Sequence, residues 1–429
     1  MGLLLPVKSL RKHFQSYLAN QPKIIQTHFT KQLLVDVSVI IKDDARTGIQ
    51  RVVRSILTQL LAHPPTGYDV RPVFATKKRC YSYANLSFLQ PLSHLSNLNE
   101  SPVKVNNGDV FLGLDLSAHL LPRHQTQLIG WKQQGVSLHI LIYDLLPLIH
   151  PEWFNDKTVK NFRGWMKTLV MLADSAICIS ESVKKELEDW LLDEYQMETG
   201  LLKAENISLG ADINASMPSK GLPKDIDRLL ALMEYHSSVL IVGTLEPRKG
   251  HEQTLDAFEL LWEQGQEINL IIVGNPGWKT ETLQKRLKVH PQTKKHLFWF
   301  ENASDELLEL LYNNCTGVIV ASQAEGLGLP VIEAMHFGKP ILLRDIPVFR
   351  EIGRASATYF SSISPNELQN DIANWLTKIE NGQSSYNIPQ QTWQNSAHEL
   401  LASIGLANTE TKQLYSEGIS SSFQHETAQ

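Results

Sequence analysis

Two series of short apolar runs, each alternating with helix-like stretches, constrain this chain more than any other feature. In the first half the runs are Leu33–Ile41, Val110–Leu116, Leu138–Tyr143 and Ala176–Ile179, rich in leucine and β-branched residues. Between them, Ile49–Leu61 and Val159–Leu172 carry apolar residues at helical spacing. That alternation predicts a parallel sheet layered with helices, an α/β fold. Leu201–Pro223 collects Gly, Pro, Ser and Asn, and a second series follows it: Val239–Val242, Leu270–Val273, Leu297–Phe300, Val318–Ala321 and Ile341–Leu343. Helices are expected between these strands at Glu252–Trp262, Glu281–Lys288, Asp305–Tyr312 and Val331–Phe337. The predicted division is an amino-terminal α/β domain over 1–205, a linker over 206–235 and a second α/β domain over 236–390. A packing helix over 391–404, marked by Trp393 and Leu400–Leu401, and a polar tail over 405–429 expected to fray complete it. Open parallel sheets bind ligands beyond the carboxyl ends of their strands, so two facing domains place the site in the cleft between them.

Composition removes several function classes. Forty Lys+Arg against 45 Asp+Glu give a formal net charge of −5, so no global basic field favours nucleic acid. Cys80, Cys178 and Cys315 are too few and too far apart for a disulfide framework or a CxxC metal site, which fits a reducing, cytoplasmic compartment. The most apolar stretch, Leu138–Ile149, contains His139 and Asp144 and is shorter than the roughly 20 residues of a membrane span. Residues 1–35 are basic without an acidic residue, and lack the hydrophobic core of a secretion signal. Two readings of that segment stay open. It is a surface helix packed on the protein, or a peripheral contact with anionic membrane through Leu10, Phe14, Tyr17 and Leu18.

Two segments carry the chemistry. Ala324-Glu325-Gly326-Leu327-Gly328-Leu329-Pro330-Val331-Ile332-Glu333 follows a strand and opens a helix. Gly326 and Gly328 let backbone approach a ligand, and the free N–H groups of Leu327 to Leu329 meet an anion at the positive end of the helix dipole. Glu333, one turn inside the helix, repels phosphate but accepts hydrogen bonds from ribose hydroxyls, while Glu325 faces another part of the same ligand. Upstream, Gly243-Thr244-Leu245-Glu246-Pro247-Arg248-Lys249-Gly250 also follows a strand. Arg248 supplies a planar fork and Lys249 a compact charge, a pair suited to a diphosphate. The Asp225-Ile226-Asp227 string sits at an expected helix start and is read as a cap, so no metal site is expected.

These residues resemble the retaining nucleotide-sugar glycosyltransferases of family four, whose two Rossmann-like domains face each other in the B-type fold. The resemblance rests on the Glu325-x7-Glu333 pair with Gly326-Leu327-Gly328-Leu329-Pro330 inside it, and on Glu246-Pro247-Arg248-Lys249-Gly250. Gly274-Asn275-Pro276-Gly277-Trp278 and Ser304-Asp305-Glu306-Leu307 look like that family's strand-end loops. The resemblance implies that Arg248 and Lys249 hold the donor diphosphate, Glu333 the ribose, and Glu325 with the following amides the donor sugar, with Thr244, Gly274 and Ser304 lining the site. In the first half, Arg46-Thr47-Gly48-Ile49-Gln50-Arg51-Val52-Val53-Arg54 resembles the family's amino-terminal glycine loop, with Gly48 at acceptor and diphosphate. Tyr143-Asp144-Leu145-Leu146-Pro147 looks like the His-Asp-x-x-Pro strand end of bacterial mannosyl- and related transferases. Tyr143 takes the histidine position there, and Asp144 would orient the reacting hydroxyl. Ser180 resembles a cleft-lining strand-end serine.

The activity so implied is metal-independent transfer of a hexosyl group with retention, without an enzyme nucleophile or cofactor. The nucleotide-sugar donor, with GDP-mannose favoured, is a co-substrate. The acceptor is a glycan or lipid-linked glycan of surface polysaccharide or lipopolysaccharide, met by amino-terminal loops such as Lys77–Asn99. A nucleotide-sugar epimerase or sugar phosphorylase on the same fold, and a noncatalytic glycosyltransferase-like binding subunit, are the alternatives.

Overall fold

The computed structural model describes residues 30–44, 47–85, 100–198, 200–212, 218–383 and 391–407, together with Lys8, Ser9, Arg11, Lys12, Gln15, Ser16 and Leu89. Leu10, Phe14, Tyr17, Leu18, most of the acceptor-loop stretch 86–99 and the tail from 408 onward lie outside the described residues.

The first sheet contains β1 (Lys31–Asp36), β2 (Tyr68–Phe74), β3 (Ser82–Tyr83), β4 (Val110–Gly113), β5 (Ser137–Ile142), β6 (Ser175–Cys178) and β7 (Lys203–Asn206). Their order is β3-β2-β1-β4-β5-β6-β7, parallel throughout except for the β2–β3 pair. Both faces are covered, which explains the unbroken apolar runs: Leu34 points into one core layer while Leu33 and Val35 point into the other. Helix α1 (Gly48–Ala62) starts with a capping box, in which Thr47 accepts from the Gln50 amide and Gln50 accepts from the Thr47 amide.

The second sheet contains β8 (Ser238–Val242), β9 (Asn269–Val273), β10 (Leu297–Phe300), β11 (Gly317–Val320), β12 (Ile341–Arg344) and β13 (Thr358–Phe360), in the order β10-β9-β8-β11-β12-β13. All of its pairs are parallel. The molecule is therefore an α/β protein with two Rossmann-like layered domains, as the sequence predicts.

Part of the segment read as linker belongs to the second domain. Residues 226–235 form a helix whose Leu229 and Met233, one turn apart, enter that domain's core. Asp225 holds the cap position but its side chain makes no cap hydrogen bond, so the capping role expected of it is corrected. The helix Trp393–Ser403 returns to the first domain. Trp393, Ala397, Leu400 and Leu401 share a core with Val52, Val53 and Ile56 of α1.

At the amino terminus, Arg11 is buried and its guanidinium donates to the carbonyls of Val170, Ala173 and Leu201. Lys8 pairs with Glu198 at 3.0 Å. These two cations are thus engaged within the protein. No helix among the described residues is long and apolar enough to cross a membrane.

Candidate functional site

The two charged segments leave the carboxyl ends of β8 and β11, adjacent strands at the point where the strand order of the second sheet reverses. Such a switch point leaves a crevice between diverging connections. Pro247–Lys249 forms a single tight turn ending at Gly250, and the Gln323 amide donates to the Arg248 carbonyl at 2.7 Å, tying the segments together. The Arg248 guanidinium donates to Glu325 Oε2 at 2.9 Å and to the Ala324 carbonyl at 3.0 Å. Lys249 Nζ donates to the other Glu325 oxygen. Glu246 lies 2.9 Å from Arg248 Nε as an ion pair, without the direction of a hydrogen bond.

Burial alone would push the Glu325 carboxyl up, but Lys249 and Arg248 overcome it and hold it down at about 2. Arg248 is raised despite its burial, because Glu325, Glu246 and Asp144 surround it. Glu325 is consequently an ionised carboxylate held between two cationic side chains. Asp144, at the carboxyl end of β5, faces it from the first domain; burial raises its carboxyl, opposed chiefly by Arg248. Arg248, Lys249, Glu325 and Asp144 therefore meet.

The glycine loop does something the sequence reading did not anticipate. A β-carbon on Gly326 would lie 1.8 Å from the Tyr143 carbonyl oxygen, and one on Gly328 2.7 Å from the Phe349 ring. The space these glycines free on the β-carbon side is filled by protein, so each has a packing role at these contacts. Gly328, with φ of 94°, also adopts the left-handed conformation that launches the helix Leu329–His336. Leu327 is buried in the core of the first domain, with Leu329 packed beside it. The loop is thus a seam between domains as well as the start of a helix.

Two residues expected to line the cleft are also part of that seam. The Tyr143 ring is only 3% exposed and its hydroxyl donates to the Leu114 carbonyl at 2.7 Å, while its main-chain carbonyl lies against Gly326 of the second domain. Ser180 is buried, caps the helix Glu181–Tyr195 and donates to the Gly326 carbonyl at 2.7 Å. Ser304 likewise caps Asp305–Asn314 and donates to the Gly221 carbonyl. Gly274 is held between the Phe300 carbonyl and the Trp299 indole, which bond its amide and its carbonyl. Thr244 is half-buried after β8, and Gly48 is exposed at the start of α1, opposite Leu329.

Glu333 is 4% exposed in its side chain and is not free. Tyr312 donates to its Oε2 at 2.8 Å, and Arg51 of the first domain pairs with its Oε1. Three residues escaped the sequence reading as members of the site or its seam. Besides Arg51, Glu186 keeps Oε2 buried without a hydrogen-bond partner, and burial together with the Asp144 charge pushes its carboxyl up to about 7. Glu351 crosses the seam to accept from the amides of Glu181 and Ser182 and from the Ser182 hydroxyl, at 2.6 to 2.9 Å. A carboxylate on a helix N-terminus is a familiar charge match, but nothing in the local sequence marks one supplied from another domain.

Comparison with known proteins follows the same lines. Residues 231–392 match the family model of glycosyl transferases group 1. The serotype-specific mannosyltransferase WbdA of Escherichia coli is 42% identical over 388 residues, covering 90% of this chain and 48% of that protein. The O-antigen chain mannosyltransferase RfbU of Salmonella typhimurium is 26% identical over 242 residues, covering 56% of this chain and 60% of RfbU. The chain thus spans about half the length of the first of these relatives. Among solved structures, Anabaena Alr3699/HepE in complex with UDP-glucose superimposes with a TM-score of 0.56 at 19% identity, covering 91% of this chain and 99% of that one. That likeness concerns the fold.

Proposed function

Because this chain carries a glycosyl transferases group 1 domain over residues 231–392, we propose that it is a hexosyltransferase of surface polysaccharide biosynthesis. The donor is a nucleotide-diphosphate sugar, with GDP-mannose favoured by the mannosyltransferase relatives, and the acceptor is a glycan or lipid-linked glycan. The carrying observation is the cluster of Arg248, Lys249 and Glu325 at the switch point of the second sheet, with Asp144 opposite.

In the proposed reaction an acceptor hydroxyl oxygen bonds to the anomeric carbon on the face from which the diphosphate departs. The bond from that carbon to the phosphate oxygen breaks, its electron pair stays with the nucleoside diphosphate, and the hydroxyl proton passes to the leaving phosphate. The configuration is retained, and no group on the protein becomes covalently attached. The protein positions the partners and stabilises the developing phosphate charge. Arg248 and Lys249 exchange their internal carboxylate for the diphosphate, and Glu325, released by them, accepts hydrogen bonds from the donor sugar. Asp144 orients the acceptor hydroxyl and Glu333 binds the ribose. Two cations beside the leaving group make a divalent metal unnecessary in this scheme. The polypeptide works at the inner, cytoplasmic side of the membrane in this reading.

The test is thermal stabilisation by a panel of nucleotides and sugar nucleotides in the presence of a chelator, comparing wild type with Glu333→Ala. A rise in melting temperature with one sugar nucleotide, lost in the variant, supports the proposal. An unchanged melting temperature across the whole panel argues against it.

A further inference from the structure

Arg51 lies in the first turns of α1, in the first domain, yet both of its carboxylate partners belong to the second. One arm of its guanidinium pairs with Glu333 Oε1 and the other donates to Asp305 Oδ1 at 2.8 Å. Each carboxylate is also held from its own side of the seam. Tyr312, fully buried, donates to Glu333 Oε2, and the Ser219 amide and hydroxyl both donate to Asp305 Oδ2 at 2.8 Å. All three charged side chains are less than one-fifth exposed. Burial alone would lower the Arg51 guanidinium, but Glu333 and Asp305 raise it, so the fork is a fixed cation.

Each carboxylate oxygen has two acceptor directions. With Arg51 on one Glu333 oxygen and Tyr312 on the other, one direction remains on each, a pair suited to a vicinal diol. We propose that Arg51 is a positioning residue that fixes Glu333 for the donor ribose, so that the nucleoside is recognised only by the two assembled domains. This rests on the donor reading above. Arg51 touches neither the diphosphate cations nor the reacting carbon; it acts through Glu333.

The test measures binding of GDP, UDP and inorganic pyrophosphate by calorimetry to wild type, Arg51→Met, Arg51→Lys, Glu333→Gln and the Arg51→Met/Glu333→Gln double variant. Arg51→Met is expected to weaken the bound nucleoside diphosphate at least about tenfold while leaving pyrophosphate, which has no ribose, within twofold. Arg51→Lys, which keeps the charge but not the fork, is expected between the two. The double variant is expected to bind no more weakly than Glu333→Gln alone. Equal weakening of pyrophosphate and nucleoside diphosphate would make Arg51 a general brace of the seam and overturn the proposal, as would unchanged nucleoside diphosphate binding in Arg51→Met. Wild type that binds neither GDP nor UDP would overturn the donor reading and this inference with it.

Discussion

Replacing Lys249 by alanine separates the role of the cluster in folding from its role in transfer. The fall of the Glu325 carboxyl from its ordinary 4.5 to about 2 corresponds to roughly 3 kcal/mol of preference for the ionised form, supplied by Lys249 and Arg248 against the burial penalty. With Arg248 still in place at 2.9 Å, loss of Lys249, the larger of the two cationic contributions, is expected to remove most of that preference, because the burial penalty stays. The sign with pH follows from the depressed value. The contribution of Glu325 is present above 4.5 and is lost as pH falls toward 2; in the variant it is smaller and the loss is complete at a higher pH. The effect on turnover is larger, because a fixed charge on the leaving phosphate acts mainly in the transition state; a fall in kcat of about 10²–10³-fold is expected. The assay is steady-state transfer from the sugar nucleotide at saturating acceptor, with melting curves of both proteins at pH 7 and pH 4. A variant that melts within a few degrees of wild type and turns over within about threefold of it would refute the placement of Lys249 at the diphosphate.

Other substitutions probe the seam, the returning helix and the first domain's strand ends. Gly326→Ala must separate the loop from the Tyr143 carbonyl, only 1.8 Å from the new β-carbon, and is expected to lower the melting temperature by several degrees and enlarge the radius of gyration in small-angle scattering. Trp393→Ala opens a cavity beneath α1 and is expected to destabilise by about 3–5 kcal/mol, read by urea unfolding of the first domain. Asp115 accepts from the Val39 and Ile40 amides, and burial together with Asp36 pushes its carboxyl up to about 7. A raised carboxyl stays protonated in the folded state while it ionises in the unfolded one, so its share of stability falls as pH rises from about 4 to 7. Asp115→Asn keeps an acceptor oxygen without titrating, and is expected to flatten stability against pH across that window in urea melts.

The parallel layering was legible because strands buried on both faces leave unbroken apolar runs such as Leu33-Leu34-Val35 and Leu270–Val273. Strands without that signature were not. Tyr68–Phe74 carries Asp69, Arg71 and Pro72 and is only partly buried, and Lys203–Asn206 is a polar edge. The cluster of Arg248, Lys249 and Glu325 was legible for a chemical reason: an Arg-Lys turn and a glycine-rich helix entry flanked by carboxylates have few structural uses together. What each glycine faces was not, since close approach by a ligand and by the Tyr143 backbone make the same demand on Gly326. Arg51 was hidden by distance. Its partners Asp305 and Glu333 are 254 and 282 residues away, and a lone arginine on an amphipathic helix carries no sign of them.

The most direct test of the account incubates the protein with GDP-mannose and a mannose-terminated glycan acceptor in the presence of a chelator, and follows GDP release and the product by NMR. The account predicts one GDP released per glycosidic bond formed, only when acceptor is present, with the donor's anomeric configuration kept in the product. An altered sugar nucleotide formed without acceptor, or a product of inverted configuration, would contradict it.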